Sequence, residues 1–140
     1  MKKVGIIGDG EYLPSRLLTN ADLEKMVDTS DEWITTRTGI KERRLAADNE
    51  ATSDMAIKAA RKALDHAGIK PQDLGLIIVA TITPDMPFPS VACIVQDALG
   101  ASDAICFDIS AACAGFVYAL TVAQQFIARD SCKYALVIGS

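Results

Sequence analysis

Residues 76–80, Leu-Ile-Ile-Val-Ala, are apolar without a break. A strand covered on one face alternates apolar and polar side chains, whereas a strand covered on both faces reads as a continuous apolar run. The run is too short for a helix and is soon followed by the proline-rich stretch TPDMPFPS, so it reads as a central strand. Cover on both faces requires helices above and below a sheet, and the sequence supplies the patterns for them. Ile105–Ile109 and Tyr134–Ile138 read as two further strands, and Lys3–Ile7, ending at Gly8, reads as a first one. Helical patterns fall around and between these runs. Thr19–Val27 reads as a helix with Thr19 as its cap. Thr29-Ser30-Asp31-Glu32 has the T-x-x-E form of a capping box, heading a short helix that carries Trp33 and ends at Thr38-Gly39. Ser53 is placed to cap a longer helix that Gly68 closes. On it Met55, Ala56, Ala59, Ala60, Ala63, Leu64 and Ala67 form one apolar stripe, with Lys58, Arg61, Lys62, Asp65 and His66 on the other side. Ser90–Leu99 ends at Gly100, and Cys113–Ala128 follows the third apolar run. This alternation predicts an α/β sheet with parallel crossovers over residues 1–140.

Composition excludes several functions. Half of the 140 residues are apolar, enough for a core and unlike a disordered chain. A net charge of −4 argues against general nucleic-acid binding. No apolar run approaches the ~20 residues that span a bilayer, and the start MKKVGIIGDG lacks the long apolar region of a signal peptide. The expectation is a cytoplasmic protein with no membrane or nucleic-acid partner. The four cysteines, Cys93, Cys106, Cys113 and Cys132, form no C-x-x-C pair, and His66 is the one histidine. No zinc ligand set follows, and reduced thiols are expected. Gly5, Gly8 and Gly10 invite a dinucleotide reading, but Leu13 stands where the third glycine of G-x-G-x-x-G belongs. Those glycines read instead as serving a tight turn. The chain ends on YALVIGS. A buried strand normally leads into further structure, so the expectation is a piece of a larger protein, incomplete at its carboxyl end.

Three stretches carry the chemistry. In FDISAACAGFVYAL, Cys113 stands where strand pattern gives way to helix pattern, among Ala111, Ala112, Ala114 and Gly115. A cysteine in apolar company is usually inert filler. At the carboxyl end of a parallel strand and the start of a helix it gains the helix dipole, small neighbours that admit a substrate, and a backbone N–H suited to an oxyanion. The pattern leaves both readings standing. Cys93, Cys106 and Cys132 lack that setting and read as core or surface thiols, and His66, on a polar helix face, is badly placed as a base. In TSDEWITTRTGIKERR, Trp33 and Arg37 are four apart and share a helical face, with Lys41, Arg43 and Arg44 nearby. An indole beside guanidinium groups can hold an adenine ring and phosphates; a solvated basic face over a packed Trp33 is the plainer reading. In TPDMPFPS, the prolines fix an extended loop, and Phe88 on it either lines a pocket or subunit contact or simply packs the loop.

Together TNADLEKMVDTSDEWITTRTGIKERR, FPSVACIVQDALG, FDISAACAGFVYAL and KYALVIGS resemble β-ketoacyl-acyl-carrier-protein synthase III, the initiating condensing enzyme of bacterial fatty-acid synthesis. The resemblance covers the chain but only the first half of the family's length. It implies the amino-terminal half of a thiolase-like fold, in which the family is a homodimer. It implies that Cys113 accepts the acyl group, that Trp33, Arg37 and Thr29 contact coenzyme A, and that Phe88 lines the acyl pocket across the dimer interface. It further implies acetyl-coenzyme A and malonyl-acyl-carrier protein as substrates, no metal or redox cofactor, and a catalytic histidine and asparagine in the second half. On that reading residues 1–140 alone do not complete the condensation. The alternatives are a related condensing enzyme with another acyl-coenzyme A primer, and a non-catalytic fragment that needs its other half.

Overall fold

The computed structural model describes residues 2–140, which divide into two units, residues 13–50 and the remainder. In the smaller unit β1 (Arg16–Thr19) and β2 (Glu42–Leu45) pair antiparallel, Arg16 opposite Leu45 and Thr19 opposite Glu42. Between them run α1 (Asn20–Leu23) and α2 (Asp31–Thr38). Thr19 does cap α1: its hydroxyl accepts the Asp22 N–H at 3.2 Å, while the Asp22 carboxylate accepts the Thr19 hydroxyl at 2.6 Å and N–H at 3.2 Å. The hydroxyl bond, followed by the N–H bond, draws the Asp22 carboxyl down from 3.8 to about 2. The helix stops at Leu23 rather than reaching Val27. The cap of α2 is Ser30, not Thr29: Ser30 Oγ accepts the Trp33 N–H at 3.1 Å, and Glu24 already serves the Asp31 N–H at 2.7 Å. The cap is therefore set one residue later than T-x-x-E suggests, and with Trp33 at its third position no reciprocal box forms. Gly39, at φ 72°, closes the helix in the left-handed conformation.

Asn20 organises this unit. It is 2% exposed, and its amide donates to Asp31 Oδ1 at 2.7 Å and to the Ile40 carbonyl at 2.8 Å, while its Oδ1 accepts from Arg43. One buried side chain thus ties the start of α1 to α2 and to the strand that returns from it. Arg43 is spent on this bond, and the period of two along β2 turns Arg44 the other way. The run of basic residues is accordingly not one patch.

In the larger unit three parallel strands, β3 (Leu74–Ala80), β4 (Ile105–Ile109) and β5 (Tyr134–Gly139), lie in the order β4-β3-β5. The central β3 is the unbroken apolar run, and Leu76, Ile77, Ile78 and Val79 are wholly buried. Ile77 and Val79 pack under α3 (Thr52–Ala67) and α4 (Val91–Leu99); Leu76, Ile78 and Ala80 pack under α5 (Gly115–Ala128). Helix α4 crosses from β3 to β4, and α5 from β4 to β5. Both faces are covered, as the sequence requires.

Three expectations change here. Lys3–Ile7 forms no strand. Gly8 and Gly10 do not build a turn, and neither has a positive φ; they let the extended segment lie against α3. A Cβ at Gly8 would stand 2.8 Å from the Ala63 carbonyl, and one at Gly10 would stand 2.4 Å from the Ala59 carbonyl. The cap position of α3 is Ala51, not Ser53, which lies within the first turn. Alanine has no acceptor to offer, and that turn is served from elsewhere, by Asp85 (below). The carboxyl-terminal stops at Gly68 and Gly100 hold, both left-handed at φ 65° and 72°.

Candidate active site

Because β3, β4 and β5 are parallel, the loop after β3 and the turn after β4 emerge at one edge of the sheet. The first carries Phe88 and the second carries Cys113. Residues 112–114 form a single 3-10 turn before α5, so Cys113 sits just ahead of the helix rather than within it. Its side chain is exposed. Ala112 immediately before it has φ 45°. For an alanine that conformation costs roughly 1–2 kcal/mol, and here it lifts the thiol outward at the strand-to-helix corner. Gly115 makes the corner tight: a Cβ there would meet the Ala80 Cβ at 3.2 Å. The small residues around Cys113 therefore shape the backbone as well as leaving room at the sulfur.

Two of the other thiols, Cys106 and Cys132, are half-buried against the sheet. Burial, with a smaller contribution from Cys93, pushes the Cys106 thiol up to about 11, and burial also raises Cys132. Both are held as neutral thiols. His66 is tied to Asp9, its Nδ1 2.7 Å from Asp9 Oδ1. It fastens the amino-terminal segment to α3.

The loop after β3, residues 81–90, is pinned at both ends. The Thr52 hydroxyl donates to the Thr83 carbonyl at 2.6 Å, and the Asp85 carboxylate accepts the Ser53 hydroxyl at 2.6 Å and the Ser53 N–H at 2.9 Å. Asp108, from β4, accepts the N–H groups of Val91 and Ala92 at 2.8 and 2.9 Å. Between the pins Phe88 is 85% exposed. In the smaller unit, Trp33 and Arg37 do meet: the guanidinium carbon lies 4.5 Å from the ring centroid, and the indole is about half exposed. Thr29 is half-buried just ahead of the Ser30 cap.

The sequence reading gave no role to Asn20, Asp85 or Asp108, named Ala112 only as a small neighbour of Cys113, and took Ser53 for the cap of α3. Asn20, Asp85, Asp108 and Ala112 all lie inside stretches that were singled out, but nothing local in those stretches marks what they do. Asn20, Asp85 and Asp108 act through partners 11 to 32 residues away, Asn20 to Asp31 being 11 and Asp85 to Ser53 being 32. A cavity of about 730 Å³ opens between the amino-terminal segment, α3, the start of α5 and β5, but Cys113 does not line it. Among the described residues no group of histidine, cysteine, aspartate and glutamate side chains is placed to hold a metal ion, and no helix is long and apolar enough to cross a membrane.

The covered parallel sheet, with a cysteine at the corner after its edge strand, defines a thiolase-like half. Comparison with known proteins narrows this. Residues 107–140 match the family model of 3-oxoacyl-[acyl-carrier-protein] synthase III. A β-ketoacyl-[acyl-carrier-protein] synthase III of Caldanaerobacter subterraneus subsp. tengcongensis is 62% identical over 136 residues, covering 97% of this chain and 41% of that protein. Among solved structures, the 3-oxoacyl-[acyl-carrier-protein] synthase III of Aquifex aeolicus superposes with a TM-score of 0.92 at 58% identity, over 96% of this chain and 44% of that one. The priming β-ketosynthase of the R1128 polyketide pathway superposes with a TM-score of 0.92 at 38% identity, over 96% and 40%. The chain thus resembles β-ketoacyl-acyl-carrier-protein synthase III along nearly its whole length, and it spans about two fifths of the curated relatives it matches.

Proposed function

We propose that this chain is the nucleophile-bearing half of an acyltransferase. The enzyme condenses acetyl-coenzyme A with malonyl-acyl-carrier protein to acetoacetyl-acyl-carrier protein and so opens fatty-acid synthesis. The observation that carries the reading is the exposed Cys113 on its left-handed corner at the carboxyl edge of a parallel sheet, in a chain so similar to synthases of that name. The Cys113 thiolate attacks the acetyl thioester carbonyl. The new C–S bond forms as the bond to coenzyme A breaks, and coenzyme A leaves as its thiolate, which takes up from water the proton that Cys113 gave up on ionising. A backbone N–H at the strand-to-helix corner stabilises the passing oxyanion; those of Ala114 and Gly115 are already bonded to the Ala111 and Ala112 carbonyls. Malonyl-acyl-carrier protein then loses carbon dioxide, and the electron pair of that bond attacks the acetyl carbonyl. Cys113 leaves and is regenerated.

A histidine and an asparagine from the second half of the family's length support the decarboxylation, and no metal or redox cofactor enters the scheme. Trp33 stacks on adenine, Arg37 pairs with phosphate and Thr29 contacts the adenine end, while Phe88 lines the acyl pocket across a homodimer interface. The site of action is the cytoplasm. A related condensing enzyme with a different acyl-coenzyme A primer is the second reading, favoured by the likeness to the priming β-ketosynthase.

The direct test is peptide mass mapping of the full-length enzyme after incubation with acetyl-coenzyme A. The acetyl group should be found on Cys113, and finding it on Cys93, Cys106 or Cys132 would refute the assignment. Trp33→Ala and Arg37→Ala should raise the KM for acetyl-coenzyme A by about tenfold each, the worth of one stacked or charge-assisted contact. Condensation from enzyme already acetylated should change little, because both side chains serve the carrier and not the acyl group. An unchanged KM in both variants counts against the coenzyme A site.

A further inference from the structure

The Phe88 loop is anchored by a carboxylate that the neighbouring helix needs. Helix α3 begins after Ala51, which has no side-chain acceptor. The Asp85 carboxylate supplies one, taking the Ser53 N–H at 2.9 Å and the Ser53 hydroxyl at 2.6 Å. Ser53 is 5% exposed and Asp85 half-buried, so the Ser53 end of this pair is shielded from competing water. Asp85 is three residues from Phe88, and Pro84, Pro87 and Pro89 fix φ on either side. A stiff tether of that length transmits the position of its anchor, and the Asp108 bonds to α4 hold the far end.

We propose that Asp85, through its grip on Ser53, is a positioning residue for Phe88 and thereby sets how long a primer the acyl pocket admits. The inference rests on the condensing-enzyme reading and deepens it. Releasing Asp85 lets Phe88 withdraw, so longer primers gain on acetyl. Asp85→Asn keeps one acceptor oxygen and holds most of the position.

The test measures kcat and KM of the full-length enzyme with acetyl-coenzyme A and butyryl-coenzyme A. Asp85→Ala should shift the ratio of kcat/KM towards butyryl-coenzyme A by about tenfold, the discrimination one or two methylenes provide, with the change mainly in KM. Asp85→Asn should recover most of the original ratio. Phe88→Ala should shift the ratio in the same direction, and the double variant should shift it no further than Phe88→Ala alone, because the two residues act as one device. Where Asp85→Ala does not fold, Ser53→Ala, which loses only the hydroxyl bond, should give a smaller shift of the same sign. An unchanged ratio in active, folded Asp85→Ala overturns the inference and spares the enzyme reading. So does equal weakening of both primers, or a double variant whose shift is the product of the singles. A wild-type enzyme that condenses neither primer overturns the enzyme reading, and this inference with it.

Discussion

Cys113→Ser should leave less than about a thousandth of the condensation rate while the protein stays folded. The side chain is exposed, so exchanging sulfur for oxygen should alter stability by only about 0.5 kcal/mol. Chemistry should suffer because an alcohol requires an adjacent base to become a nucleophile, whereas a thiol ionises far more readily. The one histidine of this chain is not at the corner that carries Cys113: His66 lies in the last turn of α3, paired with Asp9 of the amino-terminal segment. Single-turnover transfer from radiolabelled acetyl-coenzyme A isolates this step from the later condensation. A serine variant that acetylates within tenfold of the native rate would show that residue 113 is not the nucleophile.

Asp108→Ala should be the most damaging change remote from the reacting atoms, costing on the order of 2–4 kcal/mol. The carboxylate accepts two N–H groups at the start of α4, at 2.8 and 2.9 Å, and Val91 and Ala92 are wholly buried. Alanine leaves both donors unpaired where water cannot reach them, and it removes a negative charge from the positive end of a helix. Asp108→Asn keeps one good acceptor and should recover about half of the loss. Urea unfolding of the full-length protein gives the comparison, provided the slope of the transition is unchanged. If Asp108→Ala and Asp108→Asn shift the midpoint equally by less than the equivalent of about 0.5 kcal/mol, the paired N–H groups are not what the carboxylate is for.

The parts of the fold legible in the sequence are those decided by local burial. β4 runs over Ile105–Ile109 as its apolar pattern predicts, and Ser90 and Gly100 bound α4 as capping chemistry requires. The antiparallel β1 and β2 were not legible, because RLLT and ERRL are four residues each, at most half-buried, and made into strands only by each other. The first turn of α3 misled for a related reason. Its Ser53 N–H is served by Asp85 from a loop 32 residues onward, and no nearby residue announces that. At the candidate site the residue types at 33, 37 and 113 were readable, and their stacking followed from helical spacing. The left-handed Ala112 was not readable, since alanine gives no hint of a positive φ.

The two glycines against α3 act as a gauge of length. Along extended chain two residues advance about 6.6 Å, and four residues of α-helix advance about 6 Å. Gly8 rests on Ala63 and Ala67, and Gly10 on Ala59 and Ala63. Each step of two in the segment therefore matches a step of four down the helix, in the opposite direction. The alanines that read as an apolar stripe are graduations on that scale. Inserting or deleting one residue at position 9 would slide the segment by half a graduation and bring a side chain where only hydrogen fits. The alignment of the amino-terminal segment is thus encoded as arithmetic between two periodicities.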